Sequence, residues 1–148
     1  MKYYISEDID ILTMPMDYVL DNLRGLYGSV VRLAENRIFA SDMHTDNVIL
    51  GSSEITITDF DLYSFSELQG VEQLRKRNIL ALRYLFSSLF IEAINIYHAD
   101  MMDDSMEQDV KSMFELYSAS LDCSVLDRTC NKLVRYKYPI DYLRRCKR

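Results

Sequence analysis

The chain has 148 residues, of which 49% are hydrophobic and 27% charged, with four glycines and two prolines. This length suits a single domain with its own core, and the composition excludes collagen-like, low-complexity and disulfide-framework proteins. The formal net charge of −6 argues against a protein that coats a nucleic acid duplex, so we expect no nucleic acid partner.

Three features of the sequence favour a cytoplasmic protein. The first residues contain no apolar signal-peptide core. The three cysteines are an odd number without C-x-x-C spacing, which predicts reduced thiols and no zinc site. The most apolar stretch, 79–96, contains Arg83 and Glu92, from which we expect no membrane span.

Two long helices are predicted in the first two thirds of the chain. Pro15 suits the first turn of the earlier helix. Apolar residues then recur at helical spacing, namely Leu20, Leu23, Tyr27, Val30 and Ala34. The later helix runs from about Val71 to Tyr97, and its middle is apolar on several sides, which is typical of a helix buried among others.

Two further helical stretches are predicted near the end of the chain. Ser105 and Gln108 form a capping-box signature for the start of a third helix. The region 123–142 predicts a fourth, interrupted near Pro139 because proline disrupts a helix interior. No repeat and no linker is visible, which indicates one domain over residues 1–148.

Between the two long helices the pattern changes to short strands. The run 38–40 is apolar, and a polar loop follows it. The segments 48–50 and 54–58 are apolar or β-branched and flank a Gly51-Ser52-Ser53 turn, which predicts a β-hairpin. The predicted fold class is therefore mainly α, with a small β component (α+β).

Polar side chains concentrate where these apolar runs end. In chain order they are Asp42, His44, Asp46, Asn47, Asp59 and Asp61. Because a tight turn joins the hairpin strands, Asn47 and Asp59 are expected at the same end of the hairpin. Carboxylate and amide oxygens suit Mg²⁺, which leaves its other positions to water and phosphate. A carboxylate such as Asp42 in the same loop could accept the proton of a nucleophile.

Two segments resemble motifs of a known family. Residues 42–50, DMHTDNVIL, resemble the catalytic loop of the aminoglycoside phosphotransferase and choline kinase family, which reads H-G-D-x-H-x-x-N before an apolar strand. The spacing of Asp42 and Asn47 is also that of the protein kinase catalytic loop. Residues 55–61, ITITDFD, resemble the strand and I-D-F-D motif that follows it in the family. The resemblance implies the C-terminal lobe of a protein-kinase-like fold, whose hairpin carries the metal site.

The resemblance also implies roles for individual residues. Asp42 matches the catalytic base that receives the proton of the substrate hydroxyl, and His44 would steady the loop or touch the transferred phosphate. Asn47 and Asp59 match the two metal ligands, and Asp61, a third candidate ligand, replaces the glycine of D-F-G. The implied cofactors are Mg²⁺ and ATP, expected only if the fold is complete. The implied reaction of the complete enzyme is phosphoryl transfer to a hydroxyl of a small molecule or protein.

Two departures from the family pattern keep a second class of function open. Ala40 and Ser41 stand where the family has histidine and glycine, so one support of the loop is changed. The 41 residues before Asp42 contain no Gly-rich loop and no strand lysine, so we expect a lone lobe without the nucleotide-clamping N-terminal lobe. The alternative is a catalytically inactive, pseudokinase-like module that binds a partner protein through the face an N-terminal lobe would cover.

Three other interpretations rank lower. An Asp-x-Asp after an apolar strand also begins the haloacid-dehalogenase-type phosphatases, and manganese-dependent glycosyltransferases use the same motif. Tyr63 stands where the phosphatases have threonine or valine, and the chain after Asp61 lacks the alternating strands of a parallel sheet. A single loop aspartate is usually a turn or cap residue. The joint spacing of Asp42, Asn47 and Asp59 favours a site over that last interpretation.

Overall fold

The computed structural model describes residues 4–5, 9–41, 43–51, 53–58, 63–114 and 124–147. The helices in this part of the chain are α1 (Met16–Glu35), α2 (Val71–Tyr97), α3 (Met106–Met113), α4 (Ser124–Leu133) and α5 (Pro139–Cys146). The strands are β1 (Tyr4–Ile5), β2 (Ile38–Phe39), β3 (Val48–Leu50), β4 (Ile55–Ile57) and β5 (Ser64–Phe65). The domain is mainly helical with small sheets, which confirms the predicted class at that level.

The two long helices pack against each other and form the centre of the core. Every residue predicted for the inner face of α1 is buried. On α2, Leu82 and Leu85 are fully buried. The rings of Phe86 and Phe90 contact Phe114, with centroids 5.5 and 5.0 Å apart, and this aromatic cluster joins α2 to the residue that follows α3. Both long helices are thus confirmed, because burial of an apolar face is what stabilises such helices.

α2 also has the length and composition of a membrane-spanning helix, contrary to the expectation from its charged residues. Its most apolar window has a mean hydropathy of 1.6, and half of that window is buried inside the protein. The core helix of a soluble protein meets the same criteria. The finding is therefore only a weak indication of a membrane span.

The C-terminal helices differ from the prediction at their ends. Ser105 precedes α3, but its hydroxyl donates to Asp103 Oδ1 at 2.7 Å and does not cap the helix. The predicted capping box is therefore wrong, because this side chain is bonded to the preceding turn. Helix α4 ends at Leu133, and Pro139 begins α5, where its fixed φ suits the first turn and its missing N–H is not needed.

The strands form two small sheets. In the predicted hairpin, β3 and β4 are antiparallel with Val48 opposite Ile57, and β1 pairs parallel to β3. In the second sheet β2 and β5 are antiparallel, with Phe39 opposite Ser64. Neither β1 nor β5 was predicted, because a strand of two residues has no periodicity to recognise.

Polar side chains of α1 hold the hairpin in place. The Tyr18 hydroxyl donates to the carbonyl oxygen of Gly51 at 2.8 Å, and Asn22 Oδ1 accepts from the Ile55 N–H at 2.8 Å. Burial, with the charge of Glu54 nearby, raises the pKa of Tyr18, so its hydroxyl stays a donor at neutral pH. A Cβ added at Gly51 would lie 2.9 Å from the carbonyl oxygen of Glu54, so this close approach requires glycine.

A polar contact fastens the beginning of the domain to the end of α2. Asp10 Oδ1 accepts from the Leu12 N–H at 3.0 Å, and Asp10 Oδ2 lies 2.5 Å from Nε2 of His98, the residue that follows α2. Both side chains are largely buried, with 11% of Asp10 and 18% of His98 exposed. The contact joins two residues that are 88 positions apart in the sequence.

A second long-range contact joins α5 to the turn before α3. Lys147 Nζ lies 2.7 Å from Asp103 Oδ1 and 3.5 Å from Asp109 Oδ2. The hydrogen bond from Lys147, followed by those from Ser105, holds the pKa of Asp103 at about 2, below its ordinary value of 3.8. The same partnership raises the pKa of Lys147.

We expect this contact to lose its contribution to stability as the pH falls from about 4 to about 2. The folded chain holds Asp103 at the lower pKa and binds fewer protons there than the unfolded chain, so protonation favours unfolding. Lys147→Met should raise the folded-state pKa of Asp103 and flatten this part of the profile. Urea unfolding between pH 2 and 5 measures the free energy of unfolding as a function of pH. Arg145→Met is the matched control, because it removes a charge from the same helix end; equal profiles for both variants would contradict the prediction.

Candidate functional site

The structure describes two of the five predicted site residues. His44 and Asn47 lie within the described segment 43–51, whereas Asp42, Asp59 and Asp61 fall outside the described residues. The flanking strands, both chain neighbours of Asp42 and the residue before Asp59 are described, and they show how the surrounding chain is arranged.

Two connections between the sheets have neighbouring ends. The first leads from Phe39 in β2 to Val48 in β3, and the second leads from Ile57 in β4 to Ser64 in β5. Phe39 is opposite Ser64, and Val48 is opposite Ile57. Each end of the first connection therefore lies beside an end of the second. The predicted polar residues belong to these two connections.

Asn47 lies where the two connections meet. Asn47 is 2% exposed. Its backbone carbonyl oxygen accepts from both the N–H of Thr58, at 2.7 Å, and the Thr58 hydroxyl, at 3.2 Å. Thr58 directly precedes Asp59 in the sequence. The hairpin thus brings Asn47 next to Thr58, the residue before Asp59, as the predicted hairpin geometry requires.

The side chain of Asn47 faces His44. Asn47 Nδ2 lies 3.5 Å from His44 Nε2. His44 precedes the 3₁₀ turn Thr45–Asn47, and Asn47 is its last residue. A metal would be bound by the amide oxygen of Asn47, which is a hard ligand of the kind that Mg²⁺ prefers.

Thr45 fixes this turn to α2. Its hydroxyl donates to Glu92 Oε1 at 2.7 Å, and Thr45 is only 7% exposed. In the sequence, Glu92 is recognisable only as a charge within an apolar stretch. Its partner lies 47 positions away, so the pattern of α2 alone carries no signal of this role.

Asn78 of α2 holds the start of the loop. Its side chain is fully buried, with Oδ1 accepting from the Ala40 N–H at 3.0 Å. Its Nδ2 donates to the carbonyl oxygens of Val30 and Ile38, both at 3.0 Å. The backbone of Ala40 is therefore supported by a side chain of α2. An asparagine on an otherwise apolar helix face was the available signal, because a buried polar group needs partners.

Within the described residues, no three histidine, cysteine, aspartate or glutamate side chains form a metal-binding group. The predicted carboxylate ligands, Asp59 and Asp61, are not among the described residues. The ligand set proposed from the sequence consists of two carboxylates and the Asn47 amide. Its oxygen chemistry fits Mg²⁺ and does not fit softer metals that select thiolate or imidazole.

No family model, curated protein or solved structure matches the chain. The structure itself defines a mainly helical domain with small sheets, and a polar loop joins β2 of one sheet to β3 of the other. Function is therefore inferred from the residues and their geometry.

Proposed function

We propose that this chain is the phosphoryl-transferring lobe of a kinase-like phosphotransferase, which uses Mg²⁺ and moves the γ-phosphoryl group of ATP to a hydroxyl. The observation that carries the proposal is the strand register, which gives neighbouring ends to the connection with Asp42 and Asn47 and the connection with Asp59. Protein kinases divide the base and the metal ligands between two such segments. The resemblance of segments 42–50 and 55–61 to the aminoglycoside phosphotransferase and choline kinase motifs supports the same function.

The residues divide the chemistry between them. Asp42 accepts the proton of the substrate hydroxyl while the hydroxyl oxygen attacks the γ-phosphorus of ATP. Asn47 and Asp59 hold the metal, with Asp61 as a third candidate ligand. When bound, Mg²⁺ supplies the positive charge that neutralises the β- and γ-phosphates.

The surroundings of the loop serve this chemistry because phosphoryl transfer depends on positioning and on charge stabilisation. Asn78 fixes the start of the loop to α2, and the hydrogen bond between Thr45 and Glu92 fixes its end to the same helix. His44 lies between these two anchors and faces the amide of Asn47. The loop is therefore attached to one long helix on both sides of His44.

Mg–ATP is expected to raise the melting temperature of the chain. A ligand that binds only the folded state adds about 2.7 kcal/mol at 100 times its dissociation constant. Asp59→Asn keeps the size of the side chain but removes its charge, so it should lose the shift. Differential scanning calorimetry with and without Mg–ATP measures the effect.

The matched control for this experiment is Asp104→Asn. Asp104 is an exposed carboxylate in the turn before α3, outside the candidate site. This variant should keep the full shift. A wild-type chain that shows no shift, or an Asp59→Asn variant that keeps it, would contradict the proposed function.

A binding module without catalysis is the second candidate, and a specific surface favours it. An apolar hollow of about 510 Å³ is lined by Leu33, Ile38, Tyr63 and Phe65. Phe65 is 63% exposed, and Leu68, three residues later, is 99% exposed. Exposed apolar surface of this kind marks partner sites. Absence of any Mg–ATP shift would favour this candidate.

A further inference from the structure

An open groove of about 600 Å³ lies beside the candidate site. One wall is α2, through Arg77, Leu80 and Tyr84, and the other is formed by residues 39–41, 43 and 44. The volume lies within the range of small-molecule sites, about 300–1,000 Å³. The groove is thus large enough for a ligand of several rings.

The groove reaches the loop that carries the proposed base. Ser41 and Met43, the chain neighbours of Asp42 on either side, both line it. His44, which faces the Asn47 amide, lines it as well. A ligand in this groove therefore contacts the same loop that the proposed reaction uses.

The α2 wall exposes apolar side chains. Leu80 is 44% and Tyr84 65% exposed, although both are large and apolar. They are four positions apart on one helix and so share a face. Covering them with an apolar ligand would remove this surface from water, which is favourable in proportion to the area covered.

The groove also carries a positive charge. Arg77 is the only arginine or lysine among the described residues that line it. The Arg77 guanidinium carbon lies 3.9 Å from the centroid of the Phe39 ring, and Arg77 Nη1 donates to Gln69 Oε1 at 2.8 Å. A guanidinium has five N–H donors, and Gln69 accepts from one of them. Stacking and this hydrogen bond hold the cation at the groove, where it can pair with an anionic ligand.

We propose that the groove binds the phosphoryl acceptor, and that this acceptor is a hydroxyl compound with a flat apolar body and a carboxylate. The apolar body would lie on Leu80 and Tyr84, and the carboxylate would pair with Arg77. The assignment as acceptor rests on the proposed function, whereas binding of such a compound does not.

The transfer step balances with ATP as the donor. The acceptor oxygen forms a bond to the γ-phosphorus, and the bond between that phosphorus and the bridging oxygen of ADP breaks. The bridging oxygen keeps the electron pair, and ADP leaves. The hydroxyl proton passes to the carboxylate of Asp42.

The matched probes 6-hydroxy-2-naphthoate and 2-naphthol test the groove, because they share the aromatic body and the hydroxyl and differ in the carboxylate. Isothermal titration of the full chain should show tighter binding of the naphthoate. Arg77→Met should weaken naphthoate binding about tenfold, as expected for one lost charge-assisted hydrogen bond, and leave 2-naphthol binding unchanged. Tyr84→Ala should weaken the binding of both probes.

Two control variants locate the binding. Arg145→Met removes a positive charge outside the groove, and Phe65→Ala removes an exposed ring outside it. Neither should change the affinity for either probe. The proposal is overturned if Arg77→Met binds the naphthoate as the wild-type chain does, or if Phe65→Ala weakens binding and Tyr84→Ala does not. Circular dichroism of each variant verifies that it is folded, and Arg77→Lys supplies a second variant that keeps the charge and should retain part of the affinity.

Probe binding is measured without nucleotide, so the two proposals fail separately. Naphthoate binding that depends on Arg77, in a chain that shows no Mg–ATP shift, would support the groove as a ligand site and overturn its role as acceptor site. A Mg–ATP shift that depends on Asp59, together with naphthoate binding that does not depend on Arg77, would overturn the groove as the binding site and leave the proposed function standing.

Discussion

An Asp42→Asn variant is expected to transfer phosphoryl groups about 10²–10⁴ times more slowly than the wild-type chain, because the amide cannot accept the proton of the attacking hydroxyl. Its size is unchanged, and the proposed metal ligands Asn47 and Asp59 are intact. Binding of Mg–ATP should therefore stay as it is. ADP release with 6-hydroxy-2-naphthoate, and with water alone as acceptor, measures the rate, and calorimetry measures the binding.

The control for this prediction lies in the same loop. Asp46 is exposed and four residues from Asp42, and it has no assigned role in the reaction. Asp46→Asn removes the same charge and should keep the wild-type rate. If Asp42→Asn and Asp46→Asn turn over at the same rate, Asp42 is not the base. Loss of nucleotide binding together with turnover in Asp42→Asn would likewise contradict the assigned role.

An Asn78→Ala variant is expected to lower the free energy of unfolding by about 3–5 kcal/mol. The change removes three hydrogen bonds and leaves the Ala40 N–H and the carbonyl oxygens of Val30 and Ile38 without this partner. Each buried polar group left unsatisfied costs about 1–3 kcal/mol. Urea unfolding monitored by circular dichroism measures the difference.

Two companion variants sharpen the test. Asn78→Asp keeps the size and the acceptor for the Ala40 N–H, but it places a second oxygen against two carbonyl oxygens, so it should destabilise at least as much. Asn36 is exposed, and its Nδ2 donates to the Arg32 carbonyl oxygen at 2.9 Å. Asn36→Ala should change stability by no more than about 0.5 kcal/mol. Equal losses for Asn78→Ala and Asn36→Ala would show that Asn78 does not hold the loop.

The sequence predicted the long helices well because a buried face repeats over many turns. The periodic apolar residues of α1 are buried as expected, and α2 has the predicted bounds, Val71–Tyr97. Local signals were less informative. Ser105 has the residue type of a helix cap, but a competing partner, Asp103, takes its hydroxyl. The strands β1 and β5 depend on pairing with distant segments and leave no pattern of their own.

Only the part of the candidate site whose residues lie close together in the sequence was predictable. The hairpin pattern placed Asn47 near the segment of Asp59, and the bonds between Asn47 and Thr58 agree with it. Asn78 and Glu92 were not predicted as supports because their partners lie 38 to 48 positions away in the sequence. The chemical roles of all five predicted site residues, His44 and Asn47 included, remain predictions.

The contacts of the domain close loops of very different length. Asn47 and Thr58, which join the two connections, are 11 positions apart, whereas Asp10 and His98 are 88 apart. The entropy of loop closure costs about 0.6 kcal/mol for each doubling of length, so the long closure costs about 2 kcal/mol more than the short one. The contact between Asn47 and Thr58 is therefore inexpensive to close, whereas the anchors of the loop on Asn78 and Glu92 close stretches of 38 to 48 positions. Opening of the contact between Asp10 and His98 does not by itself separate the two connections.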